Sequence, residues 1–179
     1  MKKIILLLSC LALAACQYVP PRDISSPFFS PPAGSTLRLT RQLTIPANDA
    51  GVMIQYGQPQ YSSWKLDQYY PHCDFELRTR APRQQVVEPD TFTVTRTVRE
   101  IENVLLAPAI VASSDSANGP PHENYMTVLY LHSDRQPDVL RMTCQYWEDP
   151  NDGQHLTIKQ IREALGDLFI LELAGPAGS

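Results

Sequence analysis

The sequence has no apolar run long enough to cross a bilayer as a helix. Its apolar stretch Ile4 to Ala15, interrupted only by Ser9 and Cys10, would span roughly 18 Å as a helix against a hydrocarbon core of about 30 Å. Basic residues are also scarce, with 15 Lys and Arg against 19 Asp and Glu and a formal net charge of −4. That balance excludes the electrostatic footprint of a nucleic-acid binder and gives no support for adhesion to anionic lipid. The common catalytic signatures are missing. His122-Glu123 is followed by Asn124, Tyr125 and Met126, so a zinc-protease H-E-x-x-H fails at its second histidine. In "DPNDG" (149–153) the glycine falls one position early for a calcium loop, and Gln160 stands where a bidentate Glu is needed, so the stretch reads as a turn. There is no G-x-S-x-G, P-loop, C-x-x-C or internal repeat, and His72, His122, His132 and His155 have no metal-ligand spacing. No enzyme, metal or cofactor is expected.

What is present begins with Lys2 and Lys3, the apolar stretch, and Ala14-Ala15 just before Cys16. These are the proportions of a secretory signal, not of a membrane anchor. Leu13-Ala14-Ala15-Cys16 resembles the lipobox of bacterial lipoproteins. The resemblance implies a signal peptide over 1–15, cleavage before Cys16, and a diacylglycerol on the Cys16 sulfur. Gln17, in place of Asp, resembles the sorting signal for the periplasmic leaflet of the outer membrane in Gram-negative bacteria. Several acyl chains, at about 0.8 kcal/mol per buried CH₂, make a durable anchor.

Removing residues 1–15 leaves 164 of the 179 residues, enough for one domain, and takes the formal charge from −4 to −6 because two lysines and no acids depart. With Cys10 in the signal and Cys16 lipidated, only Cys73 and Cys144 remain. In an oxidising periplasm these read as one disulfide. A thiol nucleophile at Cys73 beside His72 is the rival, and it requires a free, low-pKa sulfur.

Residues 16–34 are expected to be a lipidated, proline-rich tether, with Pro20, Pro21, Pro27, Pro31 and Pro32. At about 3.1 Å per residue it could lift the domain up to about 55 Å from the membrane. Phe28-Phe29 within it either docks on a partner or folds back on its own domain.

Residues 35–179 read as a single β-rich periplasmic domain. In "STLRLTRQLTI", Leu37, Leu39, Leu43 and Ile45 alternate with polar residues, and "VMIQY" (52–56) is its expected hairpin partner. "HCDFELRT" places Cys73, Phe75 and Leu77 on one face, and "TFTVTRTV" does the same for Phe92, Val94 and Val98. "YMTVLYLH" (125–132) follows, and "VLRMTCQYW" (139–147) aligns Leu140, Met142, Cys144 and Tyr146. Residues 107–124 read as a long polar loop. Thr157 with Gln160 makes a capping box ahead of Ile158, Ile161 and Leu165, with Gly166 as the stop. "DLFILEL" then reads as a last helical turn or, preferably, a final strand. The expected fold is mainly β: an antiparallel sheet or small sandwich, one short C-terminal helix and one disulfide.

Two features are candidates for function. Arg41 and Arg96 fall in phase with the apolar sides of their strands. They predict either a shared anion-binding cleft or local structural solutions, namely an acid partner, a bulge or an open sheet face. The stretch 56–70 concentrates Tyr56, Tyr61, Trp64, Tyr69 and Tyr70 among polar residues, which suits a protein interface, a glycan surface such as peptidoglycan, or ordinary packing. The functional expectation is a non-enzymatic outer-membrane lipoprotein that contacts another envelope protein as an accessory or assembly factor. The alternative is a periplasmic module binding a glycan or small anion.

Overall fold

The computed structural model describes residues 23–104 and 122–175. The signal segment, Cys16 and most of the polar loop lie outside the described residues.

Among the described residues, alternating apolar and polar side chains produce ten strands. They are β1 (Thr36–Leu39), β2 (Leu43–Ile45), β3 (Gly51–Gln55), β4 (Gln58–Gln60), β5 (His72–Leu77), β6 (Gln85–Val87), β7 (Thr91–Val104), β8 (His122–His132), β9 (Val139–Glu148) and β10 (Phe169–Glu172). One helix, α1 (Ile158–Leu165), lies between β9 and β10. Eight strands form one curled antiparallel sheet in the order β10-β1-β7-β8-β9-β5-β3-β4, while β2 and β6 pair separately. The fold is therefore mainly β with a single large sheet, one helix and one disulfide, as expected.

The concave face of the sheet holds the core. Phe75 is central, its ring 5.9 Å from Phe92 and 5.2 Å from Phe169. Leu37, Ile54, Leu129 and Met142 are buried around it. Helix α1 adds Ile161, Ala164 and Leu165 to the same cluster. Its start is fixed by the capping box, in which Thr157 and Gln160 satisfy each other's backbone N–H groups. Its end comes at Gly166, with φ 56° and ψ −135°, a conformation that favours glycine. The chain then turns into β10, so "FILE" is a strand and not a continued helix.

Cys73 and Cys144 are direct cross-strand neighbours of β5 and β9, both buried, and they form a disulfide. The bond lies within one sheet and faces the core.

Several sequence expectations need correction. The period of two over 36–45 does not make one strand: the chain breaks at Thr40–Gln42, where the Thr40 N–H donates to the Leu168 carbonyl, and β2 leaves for the small sheet. Residues 51–55 consequently pair with β4 and β5, not with the preceding strand. The hairpin β7–β8 is longer than its apolar pattern, running through Val104 opposite His122, so residues 122–124 belong to a strand. A register shift between Glu76 and Leu77 puts Val139, not Leu140, in the buried position.

Residues 23–34 do not stand off the domain as a free spacer. The Arg99 guanidinium donates to the carbonyls of Pro27 and Phe28, and the Thr97 hydroxyl donates to the Pro31 carbonyl. The Gly34 N–H reaches the Val94 carbonyl. Ile24 and Ser25 line a common groove with Ile158 and Arg162 of α1. The fold-back runs through backbone carbonyls, while the Phe28 ring stays exposed, 5.9 Å from the Arg99 guanidinium.

Candidate functional site

The convex face of the sheet carries the polar chemistry. Cross-strand registers set Glu76 beside Arg141, Arg141 beside Tyr130, and Tyr130 beside Arg96, a row running over β5, β9, β8 and β7. Arg141 holds Glu76 through two hydrogen bonds of 3.0 Å, the bidentate geometry in which such pairs are strongest. Arg96 lies over the Tyr130 ring at 4.1 Å.

The neighbouring row contains Gln60, Met53, Asp74 and Thr143, from β4, β3, β5 and β9. Asp74 Oδ2 accepts from the Gln145 side chain at 2.9 Å, and Gln145 in turn accepts from Asn124 at 2.8 Å. Among the described residues Asp74 Oδ1 is buried with no hydrogen-bond partner, and so is the Thr143 hydroxyl directly across from it. Beside Asp74 an open cavity of about 330 Å³ is lined by Gly51, Met53, Gln60, Tyr61 and Glu76.

Burial, and after it the nearby Glu76 charge, raises the Asp74 carboxyl from 3.8 to about 6. A folded-state value above the unfolded one means that stability from this group is fully present below about pH 4 and is lost as the pH rises through about 6. Asp74→Asn cannot ionise, and its amide supplies a donor where the unpartnered oxygen stands. At pH 8 the variant should be more stable than the parent, on the order of 3 kcal/mol by the linkage relation. At pH 3.5 the difference should vanish. Urea unfolding at the two pH values checks this, and a variant no more stable at pH 8 would contradict it.

The aromatic stretch divides into two parts. Its base is pinned: the buried Gln55 side chain donates to the carbonyls of Asp67 and Tyr70 and accepts from the Asp67 N–H, and the Trp147 N–H donates to the Gln68 carbonyl. Tyr69 meets Trp147 and His122 edge-on, at 5.9 and 5.2 Å. The outer part, including a 3₁₀ turn at Ser63–Lys65, projects its rings. Trp64 is 79% exposed, and Tyr61 and Tyr70 are more than half exposed. Ordinary packing accounts for Tyr69 but not for Trp64.

The structure does not bring Arg41 and Arg96 together. Thr36 lies opposite Thr93, and the Leu39 N–H bonds to the Asp90 carbonyl, so the two arginines sit beyond opposite ends of the β1–β7 pairing. Arg41, at the break between β1 and β2, pairs with Asp167 at 3.2 Å and reaches the Gly57 carbonyl at 3.5 Å. A bulge between Val94 and Arg96 shifts the phase of β7, turning Arg96 to the convex face. A shared anion cleft is replaced by an acid partner for one arginine and a bulge for the other.

Sequence reasoning missed Asp74 as a site residue. Its position in the β5 alternation reads as solvent-facing, and its burial depends on Gln145 and Thr143, about seventy residues away. No known family, curated protein or solved structure matches the chain.

Proposed function

We propose that this chain is a non-enzymatic outer-membrane lipoprotein, anchored through acyl chains on Cys16, whose β domain docks on another envelope protein through loop 61–70. The observation that carries the docking is Trp64, 79% exposed on a loop whose base is hydrogen-bonded to the buried Gln55. An aromatic ring presented on a pinned support loses little conformational freedom on binding, which is how interface anchors gain their energy. The lipobox-like Leu13 to Cys16 supplies the anchor, and the disulfide is at home in the oxidising periplasm.

A photo-crosslinking side chain at position 64, used in intact cells, should capture one discrete envelope protein. The same group at exposed Arg38 should not. In a Cys16→Ser background the precursor should stay uncut and without lipid, and the crosslink should disappear. Trp64→Ala should weaken co-purification at least tenfold, in the range of an interface hot spot. Absence of any specific product, or saturable quenching of Trp64 by peptidoglycan fragments in its place, would remove the protein-docking reading.

A further inference from the structure

We propose that the cavity between β3, β4 and β5 receives a cationic side chain, Lys or Arg, of the partner protein. This deepens the docking proposal and rests on it, because Tyr61 belongs both to the projecting loop and to the cavity wall.

The charge balance inside the cavity selects the ligand. Of the two carboxylates on β5, Glu76 is neutralised by the two-pronged contact with Arg141. Among the described residues no cation is hydrogen-bonded to Asp74, although the Arg141 charge lies near enough to act on it. Gln145, a neutral amide, holds one of its oxygens, and the other is buried and unpartnered. Thr143 faces it across the strand pair, more than nine-tenths buried, and its hydroxyl is unpartnered as well. A buried, unpartnered carboxylate oxygen on a side chain that lines an open cavity is an arrangement that a protein normally avoids.

An incoming ammonium or guanidinium group supplies what is missing in one step. Its N–H groups donate to Asp74 Oδ1, and its charge compensates the carboxylate. A sugar hydroxyl could donate, but it would leave the charge uncompensated. An anion would meet Asp74, Glu76 and Asp49 around the same cavity and be repelled. Met53 offers an apolar surface for the methylene stem, and Tyr61 at the rim offers a ring face to the cation. The raised pKa of Asp74 fits a group kept for binding at some expense in stability.

The test uses the full-length mature lipoprotein, ¹⁵N-labelled in detergent micelles, titrated with the Nα-acetyl methylamides of lysine, arginine and norleucine. Saturable shifts of the Gly51, Met53 and Glu76 amide signals are expected with lysine and arginine but not with norleucine. Asp74→Asn should weaken the effect at least tenfold. Equal shifts with norleucine, no shifts with any probe, or shifts only with N-acetylglucosamine oligomers would overturn the assignment. The crosslink from position 64 separates this proposal from the docking reading. If capture persists undiminished in Asp74→Asn, docking stands and the cavity's part in it falls. If the amines bind but position 64 captures nothing, the cavity keeps its preference for cations and the protein-docking reading falls.

Discussion

Replacing Cys73 and Cys144 together with alanine is expected to lower the unfolding free energy by about 4 kcal/mol, a drop of roughly 8–16 °C in Tm for a domain of this size. The two residues are 71 positions apart, and the bond closes a loop containing the rest of β5, all of β6 to β8 and half of β9. Without it the unfolded chain regains the freedom of that loop. The folded chain keeps its β5–β9 ladder but loses the sulfur–sulfur contact within a fully buried layer. Changing both cysteines avoids leaving a single buried thiol. Urea unfolding of the double variant, beside the parent with and without reductant, measures the difference. A loss below about 1 kcal/mol would mean that the ladder already restricts the unfolded ensemble, contrary to the chain-entropy argument.

Gly166→Ala is expected to destabilise the domain by about 3 kcal/mol through two separate effects. At φ 56° and ψ −135° an alanine meets backbone strain on the order of 1–3 kcal/mol. Its Cβ would also stand 2.6 Å from the Gly57 Cα, a backbone atom with no side-chain freedom to yield. Gly34→Ala separates the two effects. Gly34 also has a positive φ, 88°, but an added Cβ meets only the Ala174 methyl at 3.6 Å. It should cost about 1 kcal/mol, the strain alone. The Gly57–Gly166 joint brings the turn after β3 against the end of α1, where the Gly57 N–H donates to the Ala164 carbonyl. Because Gly57 leads directly into β4 and Tyr61, Gly166→Ala should also reduce crosslinking from position 64. Equal losses for the two alanine variants would remove the collision from the account.

The legible parts of the fold were those written in local patterns. Alternation located most strands and put Cys73 and Cys144 on apolar faces, which suits the disulfide that the cysteine count leaves to them. Thr157 and Gln160 announced the helix start. Failures came where phase depends on a neighbouring strand. One extra residue at the β7 bulge reverses which side Arg96 occupies, and nothing in "TVTRTV" marks it. Arg41 keeps perfect alternation with Leu39 and Leu43, yet the chain between them changes sheets. The second half of β7 was hidden because Arg99, Glu100, Glu102 and Asn103 make both faces polar. Asp74 became a site only through what β9 and β4 place around it. Of the site candidates, the aromatic stretch was visible because rings among polar residues stand out, although which rings project could be read only from the hydrogen bonds at the loop base.

The docked segment from Asp23 to Gly34 shortens the leash that the sequence suggests. Under the lipid-anchor proposal, seven Cα-to-Cα steps separate Cys16 from Asp23, at most about 25 Å when fully extended. A tether free through Gly34 would reach about 55 Å. The volume that a domain sweeps grows as the cube of that radius, so at equal rise per residue the leash of 7 steps in place of 18 raises its local concentration at the membrane roughly fifteenfold. A partner close to the bilayer would then be met often even with weak contacts, whereas one deep in the periplasm would be out of range until Arg99 and Thr97 release the segment.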